Sequence, residues 1–158
     1  MIYCVNYFSI LLSVYVEDDI IIKTSFSQNC EGMQRNDFQR DFEKFVLRDR
    51  KALNFTFGNI DDGLRKVYLE TMEIPYGFVS SYGDISRAVF GNKKYSRFVG
   101  YAMSVNPLPI IVPCHRVVRS DGSIGGFSSP ISIKLKLLEI EKVKVINGKI
   151  GKAFFANI

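Results

Sequence analysis

The sequence predicts an α/β fold in two parts: a small sheet with one helix, then a mostly helical half. Two patterns predict it. β-branched and aromatic runs fill the start, and from about Asp37 the apolar residues recur every three or four positions. A third observation separates the halves. Residues 1–74 carry 9 Lys and Arg against 12 Asp and Glu, whereas residues 75–158 carry 12 against 4. The turn-rich stretch 58–63 (GNIDDG) marks the joint, so residues 1–60 and 61–158 are expected as two domains.

Residues 1–16 are apolar but broken by Tyr3, Asn6, Tyr7, Ser9, Ser13 and Tyr15. No basic region precedes them and no small-residue cleavage site follows, so they read as half-buried strands, not as a signal peptide. Runs 10–16 and 20–26 flank Glu17-Asp18-Asp19, the composition of a hairpin. Phe38, Phe42, Phe45 and Val46 give residues 37–47 one helical face. Leu64, Val67, Tyr68 and Met72 give a second helix, ending before Pro75. Ser81-Tyr82-Gly83-Asp84 fits a capping box, with Ile85, Ala88 and Val89 as the buried face and Gly91-Asn92 as the stop. A further helix fits 96–105, with Phe98, Val99, Ala102 and Met103 apolar, and is ended by Asn106-Pro107. Helix, short glycine-containing turn, helix is the helix-turn-helix pattern, though many helical hairpins share it. Residues 108–112 read as a buried run and 117–127 as a hairpin or wing around Asp121-Gly122. A closing helix fits 131–140, with Ile133, Leu137 and Ile140 on one face and Leu138 beside it. Asn147-Gly148 marks a small hairpin.

With 47% hydrophobic and 13% aromatic residues the chain can bury a core. No run of 18 apolar residues predicts a membrane helix, and an intracellular, cytoplasmic protein is expected. Cys4, Cys30 and Cys114 lie far apart, there is no CxxC, and His115 is the only histidine. This pattern argues against structural zinc and against a disulfide scaffold, leaving a Cys4–Cys30 bridge open. Cys4 itself reads as a small buried hydrophobe. No acidic residue occurs from Ile85 to Ser120, where Arg87, Lys93, Lys94, Arg97, Arg116 and Arg119 all fall. A polyanion-binding face and an inert solvated face fit that charge equally.

The sharpest feature is Pro113-Cys114-His115-Arg116-Val117, a cysteine between a buried-looking run and a polar turn. Thiolate is the reactive form of cysteine, and a histidine can take the proton directly or through water. On physics alone an inert buried cysteine fits at least as well, because adjacent side chains often diverge.

These five residues resemble the active-site motif of the O6-alkylguanine-DNA alkyltransferases. The resemblance extends through Ile74-Pro75-Tyr76-Gly77, Ser81-Tyr82, Arg97-Phe98-Val99-Gly100, Ala102-Met103, Asn106-Pro107 and Gly125-Gly126-Phe127-Ser128, in the family's order. It covers roughly Leu64 to Glu141, about half the chain. It implies a ribonuclease-H-like front domain and a winged-helix-like back domain. It implies Cys114 as nucleophile, His115 as base through a water that keeps Cys114 a thiolate, and Glu141 as the group orienting His115. Tyr82 would donate to guanine N3. Arg97 would fill the space left by the flipped base, and Asn106 would join recognition helix to active-site segment. Gly100, Ala102 and Ser104 would let the second helix approach the minor groove. Pro109 and Phe127 would shape the alkyl pocket, with the Cys114 and Val117 backbones and the Ser128 N–H reading the base. The implied activity is irreversible, single-turnover repair of O6-alkylguanine, and of O4-alkylthymine, in double-stranded DNA. No cofactor, metal or membrane is implied. The protein would act as a monomer, with cooperative binding along DNA left open. Phe127 stands where many relatives have tyrosine, and Tyr101 where glycine is common. A non-catalytic alkylguanine binder would lack Cys114, a winged-helix regulator would not need the Cys-His pair and Glu141, and a thiol hydrolase would turn over.

Overall fold

The computed structural model describes residues 1–47, 49–127 and 129–157. The chain forms two compact units, residues 1–59 with 107–111, and residues 60–106 with 112–158. No helix among the described residues is long and apolar enough to cross a membrane.

The first unit is an antiparallel sheet of β1 (Ile2–Tyr7), β2 (Ile10–Glu17) and β3 (Ile20–Ser27), joined in that order. Both turns have two residues, Phe8-Ser9 and Asp18-Asp19, all with positive φ. That geometry matches the right-handed strand twist. Alternation along β2 buries Ile10, Leu12, Val14 and Val16, and helix α1 (Asn36–Leu47) adds Phe42, Phe45 and Val46 to the same unit's core. The sheet edges are covered. Cys4 N donates to Met33 O at 2.9 Å beside β1, and Ile21 N donates to Asn54 O at 2.9 Å beside β3. Further along β3, Thr24 N donates to Pro107 O (3.0 Å) and Thr24 Oγ1 to Pro109 O (2.8 Å).

Cys4 is not the lone small hydrophobe expected. It is joined to Cys30 in a disulfide spanning 26 residues. Cys4 points to the sheet face opposite Tyr3 and Val5, where its cross-strand neighbour is Ser13. Ser13 Oγ lies 3.4 Å from Cys30 Sγ. Closing a loop of this length restricts the unfolded chain by roughly 3 kcal/mol. Reduction is therefore expected to lower the melting temperature, as scanning calorimetry with and without reductant would test. Equal melting would show that the bridge contributes nothing.

The second unit contains α2 (Asp62–Met72), α3 (Tyr82–Phe90), α4 (Ser96–Ser104) and α5 (Ile131–Ile140). Strand β4 (Ser80–Ser81) pairs in parallel with β5 (Val117–Val118), and β6 (Val145–Ile146) with β7 (Lys149–Ile150) forms the expected Asn147-Gly148 hairpin. Val79, Val118, Leu138, Val143 and Ile150 form a core cluster here. Ser81 Oγ accepts from Asp84 N at 3.0 Å and opens α3, and Gly91 closes it in the left-handed region. Three expectations are corrected. In α3 the buried pair is Ile85 and Ser86, while Ala88 is exposed. Ser86 can be buried because its hydroxyl donates to Asn92 O (2.6 Å) and accepts from Tyr95 N (3.1 Å), pinning the turn into α4. In α5 the buried residues are Lys134, Leu137 and Leu138, not Ile133 and Ile140. Residues 117–127 form no hairpin: β5 pairs with β4, and only a turn at Asp121-Gly122 remains. Gly122 has φ +85°, and a Cβ there would sit 2.3 Å from Ile150 O, so only glycine fits.

Candidate active site

Pro113 leads into one 3₁₀ turn, Cys114–Arg116, which runs directly into β5. The turn is closed by Cys114 N to Val112 O (2.7 Å) and Arg116 N to Pro113 O (2.9 Å). All three of its side chains are buried, Cys114 to 3% exposure.

Glu141, at the C-terminal end of α5, is the hub behind them. Its Oε1 lies 2.8 Å from His115 Nε2 and accepts from Arg116 Nη2 at 2.8 Å. Arg116 Nε donates to Oε2 at 2.9 Å, and Gly77 N donates to Oε2 at 3.2 Å. Arg116 Nη1 donates to Ile74 O at 2.9 Å. Burial alone would raise the Glu141 carboxyl. It is outweighed by the charge and hydrogen bond of His115 and by those of Arg116, so the group sits at about 2. Burial lowers His115, and its Glu141 partner offsets this only in part. A neutral imidazole beside a carboxylate carries its proton on Nε2. Nδ1 is then the basic nitrogen, and it has no hydrogen-bond partner among the described residues.

Burial also raises the Cys114 thiol, against a hydrogen bond with Asn106, the charge of Lys134 and the backbone N–H groups of Cys114 and His115. Burial thus works against the thiolate, and the Asn106 hydrogen bond, the Lys134 charge and the backbone N–H groups work for it. Lys134 is fully buried and donates to Val117 O (2.7 Å), Ile124 O (2.7 Å) and Gly126 O (3.2 Å). Burial brings its ammonium down to about 8.

Cys114 opens into a cavity of about 590 Å³, a volume suited to a small organic ligand. Tyr82, Arg97, Gly100, Ser104 and Phe127 line it too, so six of the sequence-derived residues meet at one place. Tyr82 Oη donates to Gly126 O at 3.4 Å, and burial raises its phenol. Gly125, at φ +77°, leaves room for that ring: a Cβ would come within 2.9 Å of Tyr82 Oη. Asn106 Nδ2 donates to Val112 O at 3.1 Å.

Other expectations are corrected. Ala102 cannot face a groove, because it is fully buried beside Val99 and Met103 and its carbonyl accepts from Tyr68 Oη at 2.9 Å. Val117 is buried with its carbonyl taken by Lys134, and it does not line the cavity. Pro109 is buried within the first unit. Arg116 spends its charge on Glu141, not on an outer basic face. Ser128 lies outside the described residues. Sequence reasoning missed Arg116 and Lys134 as site residues. The available signal was spacing: Lys134, Leu137, Leu138 and Glu141 recur at i, i+3, i+4 and i+7. Among the described residues, no cluster of three or more His, Cys, Asp or Glu could hold a metal ion.

Residues 63–143 match the family described as 6-O-methylguanine DNA methyltransferase, DNA binding domain. The methylated-DNA–protein-cysteine methyltransferase of Saccharolobus islandicus is 43% identical over 140 residues, covering 85% of this chain and 90% of that protein. That of Methanosarcina acetivorans is 46% identical over 77 residues, 49% of each, so the match spans about half that relative's length. In structure, the O6-methylguanine-DNA methyltransferase of Pyrococcus kodakaraensis aligns with a TM-score of 0.70 at 26% identity, covering 90% of this chain and 100% of that one. The chain belongs to the O6-methylguanine DNA methyltransferase family.

Proposed function

We propose that the protein repairs alkylated DNA by moving the alkyl group from O6 of guanine, or O4 of thymine, to Cys114. The observation that carries this is a buried cysteine opening into a cavity of about 590 Å³, next in sequence to a buried histidine whose Nε2 lies 2.8 Å from a carboxylate oxygen. His115 Nδ1 takes the thiol proton through a water, and Glu141 holds the ring in the tautomer that can do so. The Cys114 sulfur attacks the alkyl carbon. The C–S bond forms as the C–O6 bond breaks, and the electron pair moves into the purine. Tyr82 donates a proton to N3 as that charge develops, so one proton leaves the thiol and one arrives on the base. The thioether is stable, so each molecule reacts once.

The target atom lies inside a duplex, so the nucleotide is turned out into the cavity and Arg97 fills its place. Helix α4 enters the minor groove with Gly100 and Ser104 outward, and contacts run mainly to phosphates, favouring salt-dependent binding with little sequence preference. The Cys114 backbone and the Ser128 N–H read the base, and Phe127 shapes the alkyl pocket. Residues 61–158 form the transfer domain, winged-helix-like with α3 and α4 as the helix-turn-helix, and residues 1–60 a ribonuclease-H-like support. The protein acts as a monomer in the cytoplasm.

Intact mass after incubation with a duplex carrying one O6-methylguanine tests this reading. The expected result is a stoichiometric gain of one methyl group, mapped to Cys114 and absent from Cys114→Ala. Tight lesion binding with no mass gain would replace it with a non-catalytic lesion binder.

A further inference from the structure

In the first unit lies another cavity, of about 200 Å³, that the alkyl-transfer chemistry leaves unused. Its wall holds both halves of the Cys4–Cys30 disulfide and the polar side chains of Asn6, Gln34, Arg35 and Gln39. The two sulfurs stand in different surroundings. Cys4 is only 7% exposed, whereas Cys30 is half-buried. Gly32 N donates to Cys4 Sγ at 3.1 Å. That donor is held in place by the next residue, since Cys4 N donates to Met33 O and Met33 N to Ile2 O, each at 2.9 Å. Cys30 Sγ instead has the Ser13 hydroxyl at 3.4 Å and the Leu12 carbonyl oxygen at 3.7 Å, and a carbonyl oxygen disfavours negative charge beside it.

The geometry points to a thiol-exchange site: a small polar thiol entering this cavity becomes linked to Cys30, and Cys4 leaves as a thiolate on the Gly32 N–H. In such an exchange, access decides which sulfur is attacked, and the more stable thiolate leaves faster. Both criteria select the same direction here. The incoming thiolate forms an S–S bond to Cys30 as the Cys4–Cys30 bond breaks, and the electron pair stays on Cys4 Sγ. The small thiol is oxidised and Cys4 is reduced, so no further oxidant or reductant enters. The polar side chains around the disulfide suit a thiol that carries amino and carboxylate groups, of which free cysteine is the simplest. Residues 30–33 then lose their covalent tie to β1, and the hydrogen bonds of Cys4 and Met33 are left to cover that strand's edge. The proposal does not rest on the reaction of Cys114.

The test is incubation of the full chain with an excess of free cysteine, quenched with acid at intervals, with peptide mass mapping to locate the added cysteine. A hydrogen bond to a charged group is worth about tenfold or more. The added cysteine is therefore expected on Cys30 over Cys4 by roughly tenfold or more, at a rate unchanged by urea below the unfolding transition. Hydrogen exchange at the Cys4 and Met33 amides is expected to be faster in the modified protein than in the untreated one. Cysteine shared evenly between Cys4 and Cys30, or found chiefly on Cys4, overturns the proposal. So does cysteine found on Cys114 alone, or exchange that begins only where urea unfolds the chain, which would make the bridge a structural tie and nothing more. Unchanged amide exchange in protein modified at Cys30 overturns the release of the β1 edge.

Discussion

Glu141→Ala is expected to lower the melting temperature by roughly 10 °C at neutral pH. The substitution leaves Arg116 and His115 buried without their shared acceptor and strands the Gly77 N–H. Removing one partner of a buried ion pair costs about 3–5 kcal/mol, far more than the pair contributes net, because a charge is left uncompensated. Glu141→Gln should fall between the two, since an amide still accepts hydrogen bonds but cannot neutralise Arg116. The pH dependence follows from the depressed carboxyl. Its contribution is fully present above the ordinary value of 4.5 and is lost as pH falls towards about 2. The gap between wild type and Glu141→Gln should therefore narrow on acidification through that window, as melts at several pH values would show. Equal melting of wild type and Glu141→Ala at pH 7 would rule out the hub as a stability element.

Lys134→Met is expected to slow methyl transfer roughly tenfold or more with a smaller effect on stability at pH 7. Two terms oppose each other in the stability. Burying the ammonium costs on the order of 3 kcal/mol, given its fall from 10.5 to about 8. Its removal relieves that cost but orphans the carbonyls of Val117, Ile124 and Gly126, at about 1–3 kcal/mol for each unmet group. The rate has no such compensation. The lysine charge is one of the few influences favouring the Cys114 thiolate, and its donation to Gly126 holds the cavity wall beside Tyr82 and Phe127. The folded state holds this proton less tightly than the unfolded one. The penalty is thus full below about pH 8 and is relieved as pH rises towards 10.5. Wild type should gain on Lys134→Met across that window in paired melts. An unchanged transfer rate in the variant would remove Lys134 from the site.

The second turn of the first sheet, the capped start of α3 and the bounds of α5 were readable because each rests on local chemistry: Asp18-Asp19, Ser81 with Asp84, and an uninterrupted run from Ile131. Burial was less readable where polar groups go inside. Ser86 and Lys134 are buried because carbonyls and an amide happen to meet them, and a pattern that sorts apolar from polar puts both on the surface. Arg116 was misjudged in the same way, its carboxylate partner being 25 positions away. The disulfide was left open because loop closure between Cys4 and Cys30 depends on the β1–β2 register, which spacing alone does not supply. Ala102 shows the limit of reading a helix face by residue size: a small side chain suits a close-packed interior as well as a groove.

Residues 107–111 leave the second unit after Asn106, are held by Thr24 in the first, and return at Val112, two positions before Cys114. Both residues flanking that excursion serve the nucleophile, since Asn106 bonds to Val112 O and to the thiol. The halves are therefore not separable cassettes. A fragment begun at residue 60 would carry Leu108, Ile110 and Ile111 with no interior to receive them, and a front fragment alone would leave Thr24 unmatched. Thr24, in sequence 90 positions from Cys114, thus holds the five-residue loop that the chain passes through just before it reaches the reactive cysteine.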